Sequence, residues 1–265
     1  MRVTFRRLLM AFVLAVFFLG LLFPSATAKA GNSPPLRRLR VPVLMYHYIS
    51  VPPPGSDAIR LDLSVTPENF TRQMDWLKQK GFTSISPDDL INALQRGTRL
   101  PAHPVLITFD DGYIDAYTNA FPILKSFDFK GTFFLITNYV DHGYNAYVSW
   151  EQAKEMARAG MSIENHSRQH LDMRNRSRDW LDNEILDSIQ DIQDKIGIRP
   201  KIFCYPSGLY DSATIQAAKA DGVVLAFTTH DGTYMTSDGT YRLPRVRIHG
   251  STTLSEFASL MIWKR

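Results

Sequence analysis

A single cysteine, Cys204, is all the thiol chemistry in the 265 residues, which excludes an intrachain disulfide in any compartment. It lies in the apolar run Ile202-Phe203-Cys204-Tyr205 and reads as a buried, inert side chain. A chain of this size stands on its hydrophobic core without such a cross-link. An excess of positive charge is missing too, once the N-terminus is set aside. Lys and Arg total 30 against 26 acids, but Arg2, Arg6, Arg7 and Lys29 all fall within the first 30 residues, which hold no acid. The remainder is neutral overall and carries no basic stripe, so nothing points to nucleic acid as a partner. Internal repeats and low-complexity tracts are absent as well.

Long apolar runs are also scarce, with one exception at the start. Arg2, Arg6 and Arg7 precede the uncharged stretch Leu8 to Phe23, and Pro24-Ser25-Ala26-Thr27-Ala28 follows as a small-residue A-x-A site. That is the pattern of a secretory leader over residues 1–30. The stretch is also just long enough to cross a bilayer, so an uncleaved anchor is the alternative. Either way the protein is expected to be exported, to the periplasm, the cell surface or the medium, with membrane contact only through an uncleaved leader. Residues 31–40 are polar and Pro-containing and read as a linker, leaving 41–265 as the domain.

What the domain does have is alternation. Short apolar runs at 41–46, 105–109, 131–136, 161–165, 202–205, 223–227 and 246–248 read as strands. Between them lie helical patterns: one capped by Thr66, one opened by Ser86, one at 117–127 interrupted by Pro122, and one capped by Ser149 with Gln152. The longest runs from Asp179 to Ile196, and Thr253 caps a last one through Met261. Strand–helix alternation of this kind predicts an α/β fold with a parallel sheet, and with about seven strands its closed form is a (β/α) barrel. Active residues then belong at the C-terminal ends of strands. His47, Asp110, His166 and Pro206 each follow such an end.

Two segments carry the chemistry. Thr108-Phe109-Asp110-Asp111-Gly112 sets two adjacent carboxylates at a strand end, and His166-Ser167-Arg168-Gln169-His170 sets two imidazoles four residues apart. Asp111, His166 and His170 make a three-ligand set for a divalent metal with positions left open, the two imidazoles sharing a face if the segment turns helically. Carboxylate plus two imidazoles suits zinc, and nickel, cobalt or iron fit as well. Asp110 then remains as general base and His47 as general acid for a poor leaving nitrogen. His103, His142, His230 and His249 are weaker candidates for that acid, His249 the best of them. In Phe203-Cys204-Tyr205-Pro206-Ser207-Gly208, a turn at a strand end is expected to offer a backbone N–H, that of Tyr205, to an oxyanion, with Pro206 and Gly208 shaping it. Tyr113, Tyr144, Tyr147 and Trp150 are candidates for a sugar-stacking wall.

Taken in order, T-F-D-D-G, H-S-R-Q-H and Y-P-S-G resemble the motifs of the polysaccharide deacetylases (the NodB-homology domain, carbohydrate esterase family 4) over about residues 41–250. The resemblance implies a distorted barrel and metal-dependent deacetylation of N-acetyl sugars, with Asp110 as base and Asp111, His166 and His170 on the metal. V-P-V-L-M-Y-H at 41–47 is similar to the branch containing poly-β-1,6-N-acetylglucosamine deacetylases, whose acid histidine comes from the start of the domain, here His47. Two family features are lacking: a C-terminal Leu-x-His motif, and an Arg that supports the base, whose place Cys204 takes. Arg245 or Arg247, in L-P-R-V-R-I, is the expected substitute. The expected activity is therefore N-deacetylation of a β-linked N-acetylglucosamine polymer, β-1,6-linked first. Deacetylation of peptidoglycan, chitin or acetylated xylan, and non-catalytic carbohydrate binding, stand as alternatives.

Overall fold

The run Pro104–Phe109 is buried at all six positions, as a strand covered on both faces must be. It belongs to a computed structural model that describes residues 35–261. The strands in chain order are β1 (Arg38–Arg40), β2 (Val43–Tyr46), β3 (Thr83–Ser84), β4 (Pro104–Phe109), β5 (Thr132–Leu135), β6 (Ser162–Asn165), β7 (Ile202–Cys204), β8 (Leu225–Asp231), β9 (Tyr234–Thr236) and β10 (Leu243–Arg247). Seven of them pair in the order β2-β10-β8-β7-β6-β5-β4, and β2 pairs again with β4, so the sheet closes. Every pairing round the ring is parallel. The α/β barrel expected from the alternation is the fold.

The helices are α1 (Ala58–Leu63), α2 (Pro67–Gln79), α3 (Pro87–Arg96), α4 (Phe121–Ser126), α5 (Thr137–Asp141), α6 (Trp150–Arg158), α7 (Arg178–Ile196), α8 (Ser212–Ala220) and α9 (Leu254–Met261). Thr66, Ser86 and Ser149 cap α2, α3 and α6, the last two in full capping boxes. At Pro122 the backbone widens into a π turn over Ala116–Ala120 and continues as α4. Sequence patterning misses α1, α5 and α8, which are short or weakly patterned. Among the described residues no helix is long and apolar enough to cross a membrane; the expected leader lies outside them.

One boundary needs correction. The end of the expected linker is structured: Arg38–Arg40 forms an antiparallel pair with Tyr234–Thr236. A three-residue strand rich in arginine has no apolar alternation to reveal it.

Barrel parity decides what reaches the rim. Alternate residues of a strand face opposite sides. Leu44, Tyr46, Ile107 and Phe109 pack outward with α2 and α6 residues, whereas Val43, Leu106, Phe134, Cys204 and Phe227 belong to an inner cluster. Counting on in twos, Val43 and Met45 lead to His47, Leu106 and Thr108 lead to Asp110, and Leu243 leads through Arg245 to Arg247. Tyr205 has the opposite parity, and its ring packs outside with Phe203 and Ala226.

Candidate active site

At the C-terminal mouth of the barrel a cavity of about 530 Å³ is lined by His47, Asp110, Asp111, His166, His170 and Arg247, with Tyr113, Ser207 and Thr229 among its neighbours. The Asp110 amide donates to the Tyr46 carbonyl at 2.9 Å, so Asp110 is held as if the strand continued. The next two residues turn sharply, with φ 72° at Asp111 and 76° at Gly112. Asp tolerates the left-handed region better than most residues. At Gly112 a Cβ would stand 2.9 Å from Leu135 Cδ2, so glycine is required twice over. This turn separates the two carboxylates into different neighbourhoods.

Asp110 is gripped by arginine. Arg245 Nη1 donates to Oδ1 and Nη2 to Oδ2, both at 2.7 Å. Arg245 is fully buried, donating also to the Thr228 carbonyl and to Thr108 Oγ1. Cys204, buried as expected, fills the space beside the pair, its Sγ 3.0 Å from Arg245 Nη2. Burial pushes the Asp110 carboxyl up, but the guanidinium outweighs it and holds the group well below the usual carboxylate range. Of the two arginines expected to substitute for the missing one, Arg245 makes the contact and Arg247 lines the cavity.

Asp111 faces the histidines instead. Its Oδ1 lies 3.2 Å from His166 Nε2 and 3.4 Å from His170 Nε2. That oxygen is buried and without a hydrogen-bond partner among the described residues. His166 Nδ1 lies 2.7 Å from the Cys204 carbonyl. A carbonyl only accepts, so Nδ1 carries the proton and the Nε2 lone pair of the neutral ring points at the cluster. An orphaned carboxylate oxygen and two imidazole nitrogens thus converge on one point, and this donor set fits a divalent cation. A second grouping of Asp110, His166 and Cys204 is close in space, but Arg245 occupies both Asp110 oxygens and the Cys204 carbonyl takes His166 Nδ1.

The charge balance agrees with a cation site. Burial, then the neighbouring His166, push His170 down to about 4, which favours the neutral imidazole a metal needs. Against the desolvation that lowers it, the Cys204 and Asp111 contacts draw His166 upward.

His47 Nε2 stands 3.9 Å from Asp110 Oδ2, nearly buried. Desolvation lowers its pKa against the pull of Asp111 and Asp110, and Arg245 and Arg247 push the same way as burial. The other histidines stay away from the cluster: His249 pairs with Asp62 at 2.8 Å, and His142 meets the Asn138 carbonyl.

Two sequence expectations need correction. The segment 166–170 is no helical turn: Ser167 and His170 have φ of 67° and 58°, and the imidazoles meet through an irregular loop. Tyr205 does line the cavity, but its N–H is engaged, donating to the Phe227 carbonyl at 3.1 Å in continuation of the sheet. Ser207, two residues on, lines the cavity with φ 53°, while Gly208 and Leu209 donate back to Tyr205 and Pro206. The sequence reading missed Ser207, although the following glycine signals a turn with positive φ. Of the aromatic candidates Tyr113 lines the cavity and stacks on Tyr48 and Tyr147. Tyr144 stacks on His142, and Trp150 donates to Asp141. Asp62, Ala58, Ile59 and Leu63 of the overlooked α1 form another wall.

A parallel barrel with an arginine-held carboxylate, a histidine and an Asp-His-His cluster at its mouth defines a barrel enzyme equipped for hydrolysis. The sequence profile of the polysaccharide deacetylases matches residues 97–226. YxkH of Bacillus subtilis (strain 168), a protein of polysaccharide deacetylase type, is 33% identical over 220 residues, covering 83% of this chain and 75% of its own. The poly-β-1,6-N-acetyl-D-glucosamine N-deacetylase of Staphylococcus epidermidis is 29% identical over 226 residues, 77% of this chain and 78% of that one. The structure of the Streptococcus pyogenes deacetylase PplD with acetate superposes with a TM-score of 0.80 at 31% identity, covering 85% of this chain and all 100% of that one. The chain belongs to the polysaccharide deacetylase family, and its activity is that of a polysaccharide deacetylase.

Proposed function

We propose that the protein removes N-acetyl groups from a β-linked N-acetylglucosamine polymer, poly-β-1,6-N-acetylglucosamine first, with Asp110 as base, His47 as acid and a divalent metal on Asp111, His166 and His170. The observation that carries the reading is the placement of Asp110: fixed by Arg245, 3.9 Å from His47 and adjacent to the Asp-His-His cluster. The substrate choice rests on the likeness to the staphylococcal enzyme and on the histidine supplied from the first barrel strand.

Zinc suits the donor set best, and nickel, cobalt or iron are compatible with it. Such an ion supplies polarisation of the acetyl carbonyl and a lowered pKa for the attacking water. Arg245 occupies one lone-pair direction on each Asp110 oxygen, leaving the carboxylate able to take the water's proton as oxygen attacks the carbonyl carbon. The Ser207 N–H is the donor we assign to the developing oxyanion in place of Tyr205. His47 gives its proton to the amide nitrogen as the C–N bond breaks, releasing acetate and a glucosamine unit. We further propose that residues 1–30 export the catalytic domain, which includes the strand Arg38–Arg40.

The test is acetate release from β-1,6- and β-1,4-linked N-acetylglucosamine oligomers by protein loaded with zinc, nickel or cobalt, with Asp110→Asn as control. Metal-dependent release from the β-1,6 oligomer, lost in the variant, is expected. Release from the β-1,4 oligomer alone would move the substrate to chitin- or peptidoglycan-type chains. No release from either by metal-loaded protein would overturn the proposal.

A further inference from the structure

The loop that carries both histidines belongs to no helix or ladder, yet none of its amides is left without an acceptor. His166 N–H donates to the Leu135 carbonyl, Ser167 N–H to Asn165 Oδ1 and His170 N–H to Ser167 Oγ. The two amides between the ligands, Arg168 at 3.1 Å and Gln169 at 2.9 Å, both donate to Glu184 Oε2. The Gln169 side-chain amide donates to Oε1 at 2.8 Å. From the other side, Thr137 and Asn138 donate to the Ser167 and Arg168 carbonyls.

Glu184 lies on α7 and is fully buried. Buried carboxylates are ordinarily paired with a cation. Here the nearby Arg168 reaches Asp191 and Asp187 instead. Glu184 is left with three N–H donors, all from the metal-ligand loop. One turn later Ser188 donates to Asn165 Oδ1, the acceptor for Ser167, so α7 holds the loop at two points. The loop also contains two non-glycine residues with positive φ, and such a conformation persists only where its surroundings over-determine it.

We propose that Glu184 is a positioning residue of the metal site, acting through the amides of Arg168 and Gln169 to hold His166 and His170 at the separation a metal requires. The inference rests on the assignment of Asp111, His166 and His170 as ligands. Outer contacts of this kind typically change metal affinity about 10- to 100-fold when lost.

The experiment measures zinc affinity by calorimetry and the visible spectrum of bound Co(II) in four proteins: the wild type, Glu184→Asp, Glu184→Gln and Ile189→Ala. Glu184→Asp keeps the charge but is one methylene too short to meet both amides; a loss of about tenfold or more in affinity and an altered Co(II) spectrum are expected. Glu184→Gln keeps an oxygen for both amides, and Gln169 can turn its own amide over to meet the new NH2, so affinity near the wild type is expected. Ile189→Ala lies on the same helix in the apolar cluster with Phe203. It is expected to lower the melting temperature while leaving affinity unchanged. Wild-type affinity in folded Glu184→Asp, an equal loss in Ile189→Ala, or a tenfold loss in Glu184→Gln would each overturn the role of Glu184. Failure of the wild type itself to bind zinc or cobalt would overturn the ligand assignment and the inference with it.

Discussion

Arg245 holds Asp110 by both oxygens across 135 residues of sequence, with 2.7 Å on each side; Arg245 is fully buried and Asp110 only just reaches the cavity. The pair reaches across β2: β10 and β4 flank that strand on either side, and all three present alternate residues inward. A bidentate fork fixes the plane of the carboxylate as well as its charge. The carboxylate is thereby oriented, at the expense of a strongly depressed affinity for protons.

Replacing Arg245 by Met leaves a buried carboxylate without a partner, and a loss of about 3–5 kcal/mol is expected at neutral pH. The pH dependence has a definite sign. In the wild type the folded-state pKa of Asp110 lies below its unfolded value. Its stabilising contribution is therefore present above about pH 4 and declines as pH falls through the folded pKa. In Arg245→Met, burial raises the carboxyl, so the stability gap from wild type is largest at pH 7 and narrows toward acid. Urea midpoints at pH 7 and pH 4 check this; an equal gap at both would sink it.

His47→Gln separates leaving-group chemistry from the rest of the site. An amide nitrogen must be protonated to depart, whereas an activated aryl acetate leaves unaided. Turnover of the N-acetyl oligomer is expected to fall about 100-fold or more, with hydrolysis of the aryl ester much less affected. Equal losses on both substrates would assign His47 to shaping the site rather than to acid catalysis.

Gly208→Ala is expected to be damaging for two separate reasons. Gly208 has φ 71°, and a Cβ there would overlap Thr229 Oγ1. Left-handed strain alone costs a non-glycine residue about 1–2 kcal/mol. The overlap displaces the turn that carries Ser207 into the cavity. The double variant with Thr229→Ala relieves the overlap but not the strain, so it should recover part of the melting temperature and of kcat. No recovery would remove the steric half of the account.

Glu164 offers a test away from the chemistry. β6 and β7 share one register pair, Asn165 with Phe203, and Glu164 Oε2 accepts the amides of Lys201 and Ile202 at 2.9 Å each. Burial outweighs these bonds and pushes its carboxyl up to about 7. An acid raised in the folded state stabilises below its unfolded pKa and loses that advantage as pH climbs through the folded value. Glu164→Gln keeps the accepting oxygen without the charge. It is expected to match the wild type near pH 4 and to exceed it by about 3 kcal/mol at pH 8, the linkage equivalent of a carboxyl raised to about 7. Parallel stability–pH curves would refute the titration.

Much of the site was legible because its chemistry follows strand ends. The apolar runs before His47, Asp110 and His166 are local signals, and adjacent Asp residues followed by glycine mark a turn without reference to the rest of the chain. Period-two alternation then sends His47 and Asp110 inward. The same parity argument, applied to Tyr205, would have turned its ring outward and directed attention to the following turn as well. The His pair was correct in proximity and wrong in conformation, because spacing of four suits a helix and an irregular loop alike.

By itself the sequence determined the alternation, the strand termini and the residue types delivered there, since backbone preference and side-chain period act over a few residues. Only the tertiary structure decided which arginine meets Asp110, that the Tyr205 amide is taken up by the sheet, and that a glutamate on α7 accepts from the loop of the histidines. Those contacts join segments that become neighbours only when the sheet closes. Closure depends on the summed pairing of all seven strands rather than on any local stretch, and so the choice between Arg245 and Arg247 was settled by register.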